Sequence, residues 1–340
     1  MGTARVLNFL IFSGNQPPVI NLIGVKRMQD LLEVCCGLDV HKETIVACLL
    51  KGSVNDEKPQ KIIRTFSTLL EGLEELKAWL ESENCHNVAM ESTGIYWQPI
   101  YNVLESAFDG TMSIIVANAR HMKNVPGKKT DMKDAEWIAT LLRAGLLNGS
   151  FIPPQEIREL RDLTRYRKSI IEEISSQKNR IEKHLQSCGF KLSNFLTDIF
   201  GVSGRAILNH IAEHGSITAK EVENYVRGKA RAKLNDIKLS ISGRMNKHQR
   251  EFLKLLLKHL DEMYEHLREI EENINSELGK YKRQIEQLDS IPGIDVTAAA
   301  AIIAEIGTDM SKFKTQEHIC SWAGLSPGNN ESAGKKSPLE

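Results

Sequence analysis

The segment LLEVCCGLDVHKETIVACLL, Leu31 to Leu50, decides how this chain is read. Apolar residues run unbroken from Val34 to Leu38, and a second run ends at Leu50. Runs of strand length that never alternate with polar residues fit strands covered on both faces. The polar DVHKE between them fits a turn. Lys61 to Phe66 offers a third strand, so the chain opens with an antiparallel meander. Leu69, Leu70, Leu73, Leu76 and Leu80 then recur at helical spacing and predict a helix over 69–83. Asn87 to Glu91 predicts a strand, Pro99 to Phe108 a helix, and Met112 to Val116 another strand. Three strands followed by alternating helix and strand describe an RNase H-like α/β layer over residues 32–150.

The polar ends of these strands are the places to look for chemistry. Asp39 follows the first apolar run, and Glu91 closes the strand that begins at Asn87. Asp131 and Asp134, in KTDMKDAEWIA, open a helix-like stretch that reaches Leu147, with Ala135, Ile138, Leu141 and Leu142 on one face. Three residues apart on a helix, the two aspartates point the same way. Carboxylates at strand ends facing carboxylates on a helix suit a hard cation such as Mg²⁺ or Mn²⁺, which prefers oxygen ligands and keeps open positions for phosphate and water. Each acid also has a plainer reading: Asp131 as a helix cap, Asp39 as a turn residue, Glu91 as a solvated carboxylate. A charge at the end of an apolar strand is costly without a partner, and one shared metal would answer all four.

The 340 residues exceed one ordinary domain, so two or three packed units are expected. Forty-four basic residues balance forty-four acidic ones. The balance conceals a basic stretch in which Arg227, Lys229, Arg231, Lys233, Lys238, Arg244, Lys247 and Arg250 face only Asp236. Such density points to a polyanion, with a solvated basic loop as the alternative. The six cysteines show no zinc spacing and fit reduced, mostly buried thiols in a cytoplasmic protein. No apolar run has the length of a membrane span, and Val6 to Phe12 is too short for a signal peptide. Residues 1–31 are expected to form a poorly ordered extension, with Met28 as a second candidate start.

Beyond Pro153 and Pro154 the texture changes to long charged helices over residues 151–287. Ile157, Leu160, Ile171, Ile174, Ile181 and Leu185 fit one coiled-coil-like seam. Leu253, Leu256, Leu260, Met263, Leu267, Ile270 and Ile274 fit a second, and pairing within one chain or between subunits is open. Lys191 to Lys247 is expected to form a compact helical insert bearing the basic patch. Residues 288–340 open with LDSIPGIDVTAAAAIIAEIG, a helix, a Pro292-Gly293 turn and a second helix. Backbone amides there could hold a phosphate in the manner of a helix-hairpin-helix; an ordinary helical hairpin is the alternative. Ser332 lies in a polar, Gly-containing loop beside Lys335 and Lys336, where a serine is more often a turn residue than a nucleophile.

Five blocks in order, GLDVHK, MESTGIYW, VANARH through KTDMKDA, IPGIDVTAAAAIIAEIG and WAGLSPGNNESAGK, resemble the DEDD transposases of bacterial insertion sequences of the IS110 family, which are bridge-RNA-guided recombinases. The resemblance spans Cys35 to Lys336. It implies a RuvC-like domain whose Asp39, Glu91, Asp131 and Asp134 bind Mg²⁺ (or Mn²⁺), and a Ser332 that attacks DNA to form a covalent phosphoserine link. It further implies that donor and target DNA are paired by a noncoding bridge RNA, and that dimers to tetramers form composite sites. Arg120, Lys128, Lys129, Arg227, Lys229, Arg231, Lys233, Gly293, Lys335 and Lys336 are the candidate nucleic-acid contacts. The chain departs from the family in its N-terminal addition and in stopping at Glu340, a C-terminal truncation from which weak or absent recombination is expected. Two other readings compete: a RuvC-like structure-selective nuclease with no covalent intermediate, and an inactive nucleic-acid-binding remnant.

Overall fold

The computed structural model describes residues 30–56, 58–92, 94–118, 134–313, 315–325, 331–332 and 335–336. The chain divides into two compact units, Met1–Phe151 and Ile152–Glu340.

The first unit is built on a five-stranded sheet. Strands β1 (Val34–Val40), β2 (Thr44–Lys51) and β3 (Gln60–Ser67) form an antiparallel meander, while β4 (Asn87–Glu91) and β5 (Ser113–Ala117) run parallel to β1. The strand order is β3-β2-β1-β4-β5. This is the meander followed by alternating elements that the RNase H-like reading expects. The central β1 is apolar from Val34 to Leu38 and buried from Cys35 to Leu38, as suits a strand covered on both faces; Asp39 is its one polar residue. The edge strand β3 carries Gln60, Lys61 and Arg64 and is mostly exposed, the composition that keeps an open edge from recruiting another strand.

Strand alternation assigns the helices to faces. Phe66 stacks at 5.5 Å on Trp79 of α1 (Leu70–Ser82), and its register through Ile45 leads to Val40, so α1 covers the face of Cys36, Leu38 and Val40. Helix α2 (Trp97–Leu104) follows β4, and α3 (Asp134–Arg143) covers the opposite face, that of Cys35, Gly37 and Asp39. There the backbone of α3 lies directly on β1: a Cβ at Gly37 would overlap the Ala135 carbonyl oxygen and the Ala139 amide. Glycine is what allows that approach. The described part of α3 runs from Asp134, and Asp131, Arg120, Lys128 and Lys129 lie outside the described residues.

The second unit is helical around one core that runs from Ile157 to Ala304. Its long helices, α4 (Gln155–Ser187) and α8 (Lys247–Leu278), pack against each other within the chain. The seam on α4 uses Ile170 where the spacing predicted Ile171, which is exposed. From Ile174 and Ile181, buried on the same face, the 3.6-residue turn reaches back to Ile170 and not to Ile171. Between them lie α5 (Val202–His214), α6 (Ala219–Tyr225), a 3₁₀ turn over Gly228–Lys233 and α7 (Leu234–Leu239). Then come α9 (Lys282–Asp289), α10 (Val296–Ile306) and α11 (Gln316–Trp322). Where the sequence suggested a loop, β6 (Glu331–Ser332) and β7 (Lys335–Lys336) pair as an antiparallel hairpin. Backbone pairing of Ser332 with Lys335 explains the difference: a two-residue connection closes the ladder. Among the described residues no helix is long and apolar enough to cross a membrane.

Candidate active site

Asp39 and Glu91 come from different strands and arrive next to each other. Leu38 registers with Met90 across the parallel pair β1–β4, so Asp39 and Glu91 are the next step along both strands. Residues in register on adjacent strands share a face, and Gly37 and Ala89, one pair earlier on that face, lie under α3. Both carboxylates therefore leave the sheet on the α3 side, on backbones about 5 Å apart.

The direction of α3 sets where Asp134 falls. Arg143, at the end of the helix, is almost fully buried and bonds to Asp30 at 2.6 Å and to the carbonyls of Glu33, Gly52 and Ser53. The Leu31 amide donates back to the Arg143 carbonyl. Arg143 is thus held at the beginning of β1 while Ala135 crosses Gly37 further along, so the helix runs antiparallel to the strand. The described end of the helix, at Asp134, lies toward the end of β1 that carries Asp39. Sequence reading passed over Arg143, because one arginine near a helix C-terminus reads as a favourable charge on the helix dipole. The distinguishing signal, four acceptors drawn from distant segments, exists only in the fold.

Asp39 is about one-quarter exposed and lies 3.2 Å from Nε2 of His41. Glu91 is half-buried and has no hydrogen-bond or ion-pair partner among the described residues. Neither acid is paired with a lysine or arginine there. Two neighbouring carboxylates with no cation between them repel, and a shared hard cation with oxygen coordination suits that donor set. Among the described residues, no group of three or more His, Cys, Asp and Glu side chains lies close enough to hold a metal ion. The described residues bring two carboxylates, Asp39 and Glu91, to neighbouring strand ends and put a third, Asp134, on the helix that covers that face. Ile95 and Tyr96, which follow Glu91 closely, are exposed apolar residues.

The remaining candidates fall in the second unit. Ser332, Lys335 and Lys336 occupy the β6–β7 hairpin. Gly293 adopts φ of 92° in the turn between α9 and α10, and Asp295 caps α10 by accepting from the Ala298 amide at 2.7 Å. Arg227, Lys229, Arg231 and Lys233 lie on or beside the 3₁₀ turn, all exposed.

A family model described as a transposase, DEDD_Tnp_IS110, matches residues 36–190, and one described as Transposase IS116/IS110/IS902 family matches residues 285–340. No curated protein matches the chain. Among solved structures, T. thermophilus RuvC in complex with Holliday junction substrate is similar at 14% identity, covering 35% of this chain and 100% of that one, with a TM-score of 0.26. A likeness of that size leaves the fold to be read from strand order.

Proposed function

From the premise that this chain is a transposase of the IS110 family, an enzyme of DNA transposition or recombination, we propose that Asp39, Glu91, Asp131 and Asp134 bind divalent metal and that Ser332 is its nucleophile. The observation that supports the metal site is the position of Asp39 and Glu91, one step beyond the Leu38–Met90 register pair on one face of the sheet, with no lysine or arginine paired to either among the described residues. Mg²⁺ or Mn²⁺, when bound, supplies Lewis-acid polarisation of a phosphate oxygen. The chain's own residues do the rest. Asp39 and Glu91 are fixed by a parallel ladder, so their spacing is set by the backbone, and Arg143 with Gly37 holds α3 so that Asp134 stays at that end.

In this reading the Ser332 hydroxyl attacks a DNA phosphorus, a phosphoserine ester forms, and the bond to the 3′-oxygen breaks, leaving a 3′-hydroxyl after proton transfer. The reverse attack by a different 3′-hydroxyl joins the exchanged strands and frees the serine. Backbone pairing of Ser332 with Lys335 supports this role by placing a cationic residue type directly opposite the nucleophile in the hairpin. A noncoding bridge RNA that pairs with donor and target DNA supplies sequence choice, and a dimer to tetramer supplies composite sites.

The test is cleavage of cognate DNA with Mg²⁺, with and without the RNA, followed by mass spectrometry of the protein. The reading expects a nucleotide adduct on Ser332, lost in Ser332→Ala and in Asp39→Asn. Cleavage that survives Ser332→Ala but not Asp39→Asn would replace it with the metal-dependent nuclease, which needs only the acids of the first unit. Salt-sensitive nucleic-acid binding with no cleavage under any condition would leave a binding remnant.

A further inference from the structure

The helical insert of the second unit contains a feature that strand cleavage does not use. The segment Phe195–Asp198, the start of α5 and the 3₁₀ turn enclose a cavity of about 500 Å³. Phe195, Leu196, Val202 and Ala230 give it an apolar wall, and Arg227, Lys229 and Lys233 line it with positive charge. The Arg227 amide donates to Ser203 Oγ at 2.8 Å, tying the two sides together.

Three cations and one acid line this cavity, and among the described residues the cations are not paired with a carboxylate. Three other cations of the insert and of α8 are held by carboxylates: Lys238 by Glu223, Arg205 by Asp261, and Lys254 by Glu213 at 3.0 Å. Arg227, Lys229 and Lys233 have no carboxylate partner among the described residues. Asp198, the one acid in the lining, accepts from the Phe200 amide at 2.9 Å. Val202 is 83% exposed, an apolar residue left open to solvent beside three cations.

A cavity of this size falls within the range of small-ligand sites. Cations beside an open apolar wall match a phosphodiester strand with an unstacked base, because phosphates take the charges and the base face takes the apolar surface. A duplex offers phosphates but keeps its base faces stacked, so it would leave the wall unused. We propose that this cavity binds one unpaired nucleotide of a nucleic-acid strand, its base against the Phe195, Val202 and Ala230 wall and its neighbouring phosphates on Arg227, Lys229 and Lys233. The proposal rests on the nucleic-acid reading above but on none of the acids of the first unit.

The experiment compares the full chain with two variants on a 20-nucleotide oligo(U) RNA and a 20-base-pair mixed-sequence DNA duplex across a salt series. Val202→Ser leaves folding undisturbed, since Val202 is exposed at the first position of α5, and it removes apolar surface without adding charge beside the three cations. It should weaken oligo(U) binding about tenfold, the scale of losing one base contact, and duplex binding less than about twofold. Lys229→Gln with Lys233→Gln should lower the slope of log K against log salt on oligo(U) by about 1.4, two phosphate contacts of about 0.7 each. Equal weakening of both probes by Val202→Ser, or no weakening, overturns the proposal, as does an unchanged slope in the double variant. Mg²⁺-dependent cleavage is measured on the same preparations. Selective oligo(U) binding without cleavage counts against the catalytic reading alone, and cleavage without that selectivity counts against the cavity alone.

Discussion

Asp39 and Glu91 stand one register step beyond the Leu38–Met90 pair, on adjacent parallel strands, on the same face, and with no lysine or arginine between them among the described residues. Such an arrangement is unfavourable for the metal-free protein and becomes favourable with a shared cation. Asp39→Asn should therefore stabilise the metal-free chain by roughly 0.5–1 kcal/mol through relief of like-charge repulsion, while abolishing stabilisation by Mn²⁺. Thermal denaturation with and without Mn²⁺ reads both effects. A variant that is less stable without metal, yet still shifted by Mn²⁺, would show that the two acids do not share an ion.

Gly37 is the contact point of α3 on β1, and Gly37→Ala places a methyl group against the Ala135 carbonyl and the Ala139 amide. Neither backbone can turn aside as a flexible side chain would. The helix must lift, at a cost of about 1–3 kcal/mol, typical of overpacking. Asp134 moves with it, so metal-dependent cleavage should fall more steeply than folding stability. Urea denaturation and cleavage rates on one preparation test this, and unchanged cleavage would argue that the placement of α3 is irrelevant to the site.

Arg143 satisfies Asp30 and three carbonyl groups from deep inside the first unit. Arg143→Met keeps much of the volume and removes every donor, leaving those acceptors unsatisfied, at a cost of about 3 kcal/mol or more. Arg143→Lys keeps the charge but not the fork that reaches several acceptors, and should recover only part of that loss. Chemical denaturation separates the three proteins, and near-identical midpoints would mean that the clamp contributes little.

Burial pushes the Cys35 and Cys85 thiols up to about 12 and Cys48 up to about 11, from an ordinary value of 9.0. A raised folded value means that the unfolded chain releases the proton first. The stability tied to these thiols is complete below pH 9 and is lost as pH rises from about 9 toward 12. The first unit should thus weaken in alkali, and a thiol reagent at neutral pH should label exposed Cys320 well before Cys35, Cys36, Cys48, Cys85 or Cys188. Rapid labelling of any buried thiol in native protein would contradict this packing.

The meander and its following elements were legible because unbroken apolar runs, Val34 to Leu38 and Ile45 to Leu50, lie within β1 and β2 and because helical spacing marks Leu73, Leu76 and Leu80. Asp39 and Glu91 could be singled out as strand-end acids, but their adjacency could not. It depends on β4 inserting beside β1 in one particular register, a long-range pairing that no local pattern encodes. Arg143 was missed for the same reason, its four acceptors being far away in sequence. The seam of α4 was misjudged by one residue at Ile171 because Ile170 and Ile171 are equally apolar, and only packing against α8 chooses between them. The turn at Gly293 was visible as Pro-Gly, whereas the capping of α10 by Asp295 through the Ala298 amide shows only in the folded turn.

The central claim is tested most directly by anomalous diffraction from crystals of the full chain soaked in Mn²⁺. The account predicts one anomalous peak bridging Asp39 and Glu91, about 2 Å from an oxygen of each, with Asp134 or Asp131 completing the protein ligands. A peak elsewhere with both carboxylates bare, or the two carboxylates turned apart and each paired with a lysine or arginine, would contradict it.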